Sequence, residues 1–210
     1  MHLKICGMRE PQNIEEVLSV QPDYLGLIFF EKSARYIGED FELPTPLQGA
    51  KPQKVGVFVN HSLEYIVAKA KKYQLALAQL HGDESPEFCQ QLKGLLPGLQ
   101  LVKVFRVTDD FDFGTLAPYK PYCDFFLFDT KGKDYGGNGI VFNWDILKGY
   151  DNERPLFMSG GLSLENLQDL QSFITTHRLN VHAIDVNSKF EISPALKDVE
   201  KLKELKRLIS

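Results

Sequence analysis

Eight short apolar runs recur along the chain: LKIC, YLGLIFF from Tyr24, KVGVFVN from Lys54, LALAQLH from Leu75, LQLVKVFR from Leu99, CDFFLFD from Cys123, PLFMS from Pro155 and VHAIDV from Val181. Each reads as a strand. Between them, NIEEVLSV, SLEYIVAKAKKY, SPEFCQQLKGLL, SLENLQDLQSFI and SPALKDVEKLKELKRLI place apolar residues three or four apart and predict helices. Ser62, Ser85, Ser163 and Ser193 stand where N-caps are wanted, and Pro86 and Pro194 occupy the next position. Strand and helix in alternation imply a parallel sheet covered by helices. Eight units of about 26 residues fit a single (β/α)8 TIM barrel of the α/β class spanning residues 1–210. An open doubly wound sheet is the alternative, but it more often has five or six strands. The proline-bearing stretch from Glu42 to Gln53 is the least regular and predicts a loop or short turn in place of a full second helix.

The composition changes this picture little. With 210 residues, 43% of them hydrophobic, the chain can bury a full core, and no linker or low-complexity tract divides it. A net charge of −4 gives no electrostatic footprint for nucleic acid. Cys6, Cys89 and Cys123 are widely spaced with no metal-ligand pattern, so neither a disulfide framework nor a metal site is implied. A reducing, cytoplasmic setting is expected, and no run is long and apolar enough for a membrane.

In a barrel of this kind the chemistry sits at the carboxyl ends of the strands. Cys6, Asn60, His81, Arg106, Asp129, Ser159 and Asp185 are the polar residues there. Alternation along the first strand sends Lys4 and Cys6 inward together. An inward lysine needs a partner, either Asp185 or a substrate anion. Lowering a thiol from its usual pKa near 8.5 by ~1.5 units takes about 2 kcal/mol, which Lys4 is expected to supply to Cys6. Cys89 and Cys123 fall away from this face and read as core. Asp129 ends the run FFLFD, where burial would raise a carboxyl into the range of a general acid. His81 reads equally as a structural histidine or a substrate contact, and Arg35 as a fork for a carboxylate over the mouth. Gly136, Gly137 and Gly139 suit a mobile loop or a close approach to ligand. The loops FMSGGLSLEN and AIDVNSKFE follow strands seven and eight, the usual phosphate cradle of this fold. They offer Gly160, Gly161, Asp185, Asn187 and Ser188 as the phosphate-binding candidates.

Taken in order, KICGM, SARY, QLHGDE, FDT with GGNG and FNW, MSGGLSLEN and SPALKD resemble the phosphoribosylanthranilate isomerase family of tryptophan biosynthesis, from Lys4 to Asp198. The resemblance implies a TIM barrel that performs an Amadori rearrangement of a phosphoribosyl anthranilate without cofactor or metal. It makes Cys6 the general base and Asp129 the general acid, gives Arg35 the anthranilate carboxylate, and puts Gly160, Gly161, Asn187 and Ser188 around the phosphate. His81 and Lys4 join the substrate-binding set. The expected partner is a small phosphosugar, with no nucleic acid and no membrane, and the chain would act as a monomer or homodimer. Departures from the family pattern are Ala34, Asn138, Asn187 and Lys189. A phosphosugar-binding protein without turnover is the reading from another class, supported only by the altered loop from 185 to 191.

Overall fold

The computed structural model describes residues 1–48, 51–130 and 143–210. The GGNG loop, with Gly136, Gly137, Asn138 and Gly139, lies outside these residues. Eight strands form a closed parallel barrel in chain order. They are β1 (His2–Ile5), β2 (Tyr24–Ile28), β3 (Gln53–Phe58), β4 (Leu77–Leu80), β5 (Gln100–Val107), β6 (Phe125–Thr130), β7 (Leu156–Met158) and β8 (Val181–Val186). Ile5 stands opposite Leu25 on one side and Val186 on the other, which closes the ring at β1.

Helices α1 (Pro11–Leu18), α2 (Leu63–Tyr73), α3 (Pro86–Leu95), α4 (Leu167–His177) and α5 (Val199–Ile209) pack outside. Ser62 and Ser85 cap α2 and α3, accepting the N–H groups of Tyr65 and Phe88 as their sequence positions predict. The other two expected caps are corrected. Asn166 precedes α4, and the Ser163 N–H donates to its side chain. Ser193 closes a short strand, β9 (Glu191–Ser193), that pairs antiparallel with β10 (Leu196–Lys197), and α5 starts only after Asp198, whose carboxylate accepts the Lys201 N–H. Three connections also depart from the alternation of strand and helix. Residues 45–48, 113–119 and 144–149 form 3-10 turns, the first flanked by Pro44 and the second carrying Gly114 and Pro118, residues that cannot sustain an α-helix.

Two apolar layers divide the work. Leu3, Ile5, Leu25, Leu27, Leu80, Leu101, Phe126 and Ile184 face the helices. Their alternating neighbours Tyr24, Val55, Leu77, Val102, Phe125, Leu127, Phe157 and Ala183 fill the barrel. At the amino-terminal end the rings of Tyr24, Phe125 and Phe157 crowd against His182, whose Nε2 lies 2.7 Å from the Tyr24 hydroxyl. That end is plugged, and the polar interior opens at the other.

The β9–β10 hairpin turns through Ala195 at φ 69°, a left-handed conformation that a Cβ disfavours. Ala195→Gly is expected to stabilise the protein by about 0.5–1 kcal/mol, read as a higher urea midpoint with an unchanged slope. A lower midpoint would show that the methyl group, buried here, contributes more by packing than its backbone strain costs.

Candidate active site

The inward positions of β1, β4, β6 and β8, counted two by two from the plug, end in polar side chains: Lys4 then Cys6, Gln79 then His81, Asp129, and Asp185. Cys6 is 6% exposed and packs against Ile28 and Val57 at the mouth. It has room because β2 carries Gly26. A methyl group there would lie 2.7 Å from the Cys6 sulfur. Beneath it, Lys4 is wholly buried and donates to Asp185 Oδ2 at 2.6 Å and to Gln79 Oε1 at 2.7 Å. Cys6, two positions further along the same inward face, interacts electrostatically with this ammonium. Burial works against the charge on Lys4, but Asp185 and Cys6 outweigh it and hold the amine above its ordinary range.

The expectation that Lys4 brings the Cys6 thiol below its ordinary pKa is corrected. Burial pushes the thiol up, and the cations of Lys4 and Lys197 offset only part of that rise. Two further expectations change for geometric reasons. Lys4 lies at 0% exposure under Cys6, which leaves its ammonium closed to direct contact with a small molecule at the mouth. Asp185 is buried against Lys4 inside the barrel, where a carboxylate neutralises that cation and repels a phosphate, so it leaves the phosphate set.

Asp129, at the end of β6, meets His81: Nε2 lies 3.3 Å from Asp129 Oδ2, and Nδ1 lies 3.1 Å from Gln79 Nε2. Arg35 reaches over the mouth from the loop after β2. Its stem passes so close to Gly7 that a Cβ there would sit 2.7 Å from Arg35 Cδ. Glu191 grips the Nε–Nη2 edge of the guanidinium in three contacts of 2.6–3.0 Å and leaves the Nη1–Nη2 edge for a second carboxylate. Glu191 also accepts from Lys197 Nζ at 2.6 Å and from the Ala195 N–H at 3.1 Å. Burial tends to raise Glu191, and the Arg35 and Lys197 contacts more than reverse it, holding the carboxyl below its usual range.

After β7, Gly160 and Gly161 run at φ 93° and 67°, a path that suits glycine, and turns of this kind present N–H groups as an anion-binding concavity. Asn166 fastens the bend by donating to the Gly161 carbonyl at 2.9 Å. After β8, the Asn187 side-chain oxygen accepts from Lys197 Nζ at 2.7 Å, and Ser188 begins a 3-10 turn. Of the other strand-end residues, Asn60 and Arg106 bind Asp83 on the β4–α3 loop and so brace the rim. Cys89 and Cys123 are buried in the outer core.

Sequence reasoning did not single out Gln79, Glu191 or Lys197. Gln79 had a visible signal, the one polar residue on the inward face of LALAQL, two positions before His81.

A closed barrel with a thiol and a carboxyl at its carboxyl-terminal mouth defines the class: a (β/α)8-barrel of the kind that hosts enzymes. Comparison with known proteins narrows it. Residues 3–207 match the family model described as N-(5'phosphoribosyl)anthranilate (PRA) isomerase. A curated relative of that name from Parabacteroides distasonis is 43% identical over 97% of this chain and 90% of its own, and one from Acaryochloris marina is 37% identical over 98% and 96%. Among solved structures, phosphoribosyl anthranilate isomerase from Thermotoga maritima superposes with a TM-score of 0.76 at 31% identity, covering 97% and 95% of the two chains. A phosphoribosyl anthranilate isomerase solved with reduced 1-(o-carboxyphenylamino)-1-deoxyribulose 5-phosphate gives 0.77 at 30% identity over 99% and 97%. The chain belongs to the phosphoribosylanthranilate isomerase family.

Proposed function

We propose that this chain catalyses the isomerisation that names its family, with Cys6 as general base and Asp129 as general acid. The observation that carries the reading is the joining of the two groups at one mouth. Cys6 interacts electrostatically with Lys4, Lys4 contacts Gln79, Gln79 contacts His81, and His81 contacts Asp129.

The chemistry follows from that pair. Asp129 gives its proton to the furanose ring oxygen as the C1–O bond breaks, and the lone pair of the anthranilate nitrogen forms the C1=N bond of a protonated Schiff base. The Cys6 thiolate then removes the C2 proton. The electron pair of that C–H bond becomes the C1=C2 double bond and the C=N pair returns to nitrogen, giving an enolamine. Tautomerisation to the 2-ketone completes an aldose-to-ketose shift in which no electrons enter or leave.

Arg35 offers its unoccupied edge to the anthranilate carboxylate. The Gly160–Gly161 bend and the Asn187–Ser188 turn, on neighbouring strands, fit the sugar phosphate. The substrate class is thus a small phosphosugar. Three free cysteines suit the cytoplasm. No helix among the described residues is long and apolar enough to cross a membrane. The chain acts as a monomer or homodimer, and one solved relative is described as mutually generated monomers of the dimeric isomerase from Thermotoga maritima.

The test follows the loss of the anthranilate-type fluorescence of the substrate on adding purified protein. Arg35→Met is expected to raise KM by about 10- to 100-fold, the worth of a charge-assisted fork, with kcat changed far less. Glu191 keeps Lys197 in this variant, so no buried carboxylate is stranded. Unchanged fluorescence with wild-type protein would overturn the function, and an unchanged KM would overturn the carboxylate contact.

A further inference from the structure

We propose that Gln79 is a positioning residue that fixes His81 as its Nε2–H tautomer and thereby aims that N–H at Asp129 Oδ2. The inference rests on the reading of Asp129 as the acid and adds how that acid is aimed.

The argument starts from Lys4. An ammonium group only donates, so the Gln79 atom 2.7 Å from Lys4 Nζ must be the amide oxygen. The other end of the amide, the NH2 group, then faces His81 Nδ1 at 3.1 Å. An NH2 group also only donates, so Nδ1 must present its lone pair. In a neutral imidazole the hydrogen is then on Nε2, which lies 3.3 Å from Asp129 Oδ2 and donates to it.

The alternative arrangements each create a conflict of donors. The Nδ1–H tautomer would set N–H against N–H at Gln79. Turning the amide over to relieve that would set its NH2 against the Lys4 ammonium. Both conflicts sit in a buried, low-dielectric interior, where unpaired polar contacts are most costly. Once Asp129 has given its proton away, the His81 N–H is already aligned on Oδ2 of the new carboxylate and needs no reorganisation. The polarity of the acid is set from Lys4, the same side chain that neighbours the base.

Nitrogen NMR of protein carrying 15N-histidine tests this directly, with the His81 signals assigned by their loss in His81→Asn. Wild-type protein at neutral pH is expected to show a protonated Nε2 and an unprotonated Nδ1. Gln79→Met, which keeps the volume and leaves Lys4 with Asp185, should give a mixture of tautomers and lower kcat about tenfold with KM within about twofold. Gln79→Glu places an acceptor on each side of the ring and should add a hydrogen at Nδ1 while Nε2 keeps its own, with a larger fall in kcat than Gln79→Met. An Nδ1–H or doubly protonated ring in the wild type would overturn the proposal even if neither variant folds. So would a Gln79→Met protein that keeps both the wild-type tautomer and the wild-type kcat. If Asp129→Asn turned over normally while His81 kept its Nε2–H form, the acid assignment would fall and the tautomer assignment would stand.

Discussion

Cys6→Ala is expected to lower turnover by about 10²- to 10⁴-fold, the range that one positioned acid or base contributes, while product still binds. Asp129→Asn should fall within the same range for a different reason, and the two variants should stop at different points. Without the acid, the furanose stays closed and the cyclic substrate accumulates. Without the base, the sugar opens but the C2 proton stays, so the Schiff base accumulates. Rapid-quench analysis of a single turnover separates them. Near-normal turnover in either variant would withdraw the role of that residue.

The raised pKa of Cys6 sharpens this prediction. The reaction needs a thiolate and a protonated carboxyl, which together hold the same number of protons as a thiol and a carboxylate. The balance between those two forms depends on the difference between the groups and not on pH, so burial of the thiol does not abolish the productive form. Burial thins its population, and the neighbouring cations of Lys4 and Lys197 restore part of it.

How far the sequence revealed this site depends on the range of each contact. Strand positions were legible because alternation and short apolar runs are local, and that same alternation turned Lys4 and Cys6 inward. The caps Ser62 and Ser85 were legible for the same reason, since a cap is satisfied within three residues. Ser193 looked identical in sequence, yet the chain there pairs Leu196 with Ser193 in a hairpin whose turn is tied to Glu191, a contact that helical periodicity does not encode. The pairing of Lys4 with Gln79 spans 75 positions and that with Asp185 spans 181. Such pairs become visible only when the barrel closes. Asp185 reads as a phosphate residue in the sequence because it begins the right loop, but its side chain follows the strand inward to Lys4.

Lys4→Met carries the largest expected cost to the fold and separates stability from chemistry. Removing one partner of a buried ion pair costs about 3–5 kcal/mol, a large part of the stability of an ordinary domain. Burial already raises Asp185, and Lys4 pulls it back, so the variant raises it further. A carboxyl whose folded pKa exceeds its unfolded value stabilises the fold when protonated. The variant should therefore be nearest to wild type at acid pH and lose ground as pH rises from the unfolded value towards the folded one. Urea midpoints from pH 5 to pH 8 measure that slope, and a parallel pair of curves would show that Asp185 is not stranded. Adding Asp185→Leu removes the orphaned charge and should recover most of the stability. It should not recover turnover. Cys6 would still lack its nearest cation, the balance of protons would still favour the thiol, and because that balance does not depend on pH, raising the pH would not restore the rate. A double variant that regained both stability and activity would show that Lys4 serves the fold alone.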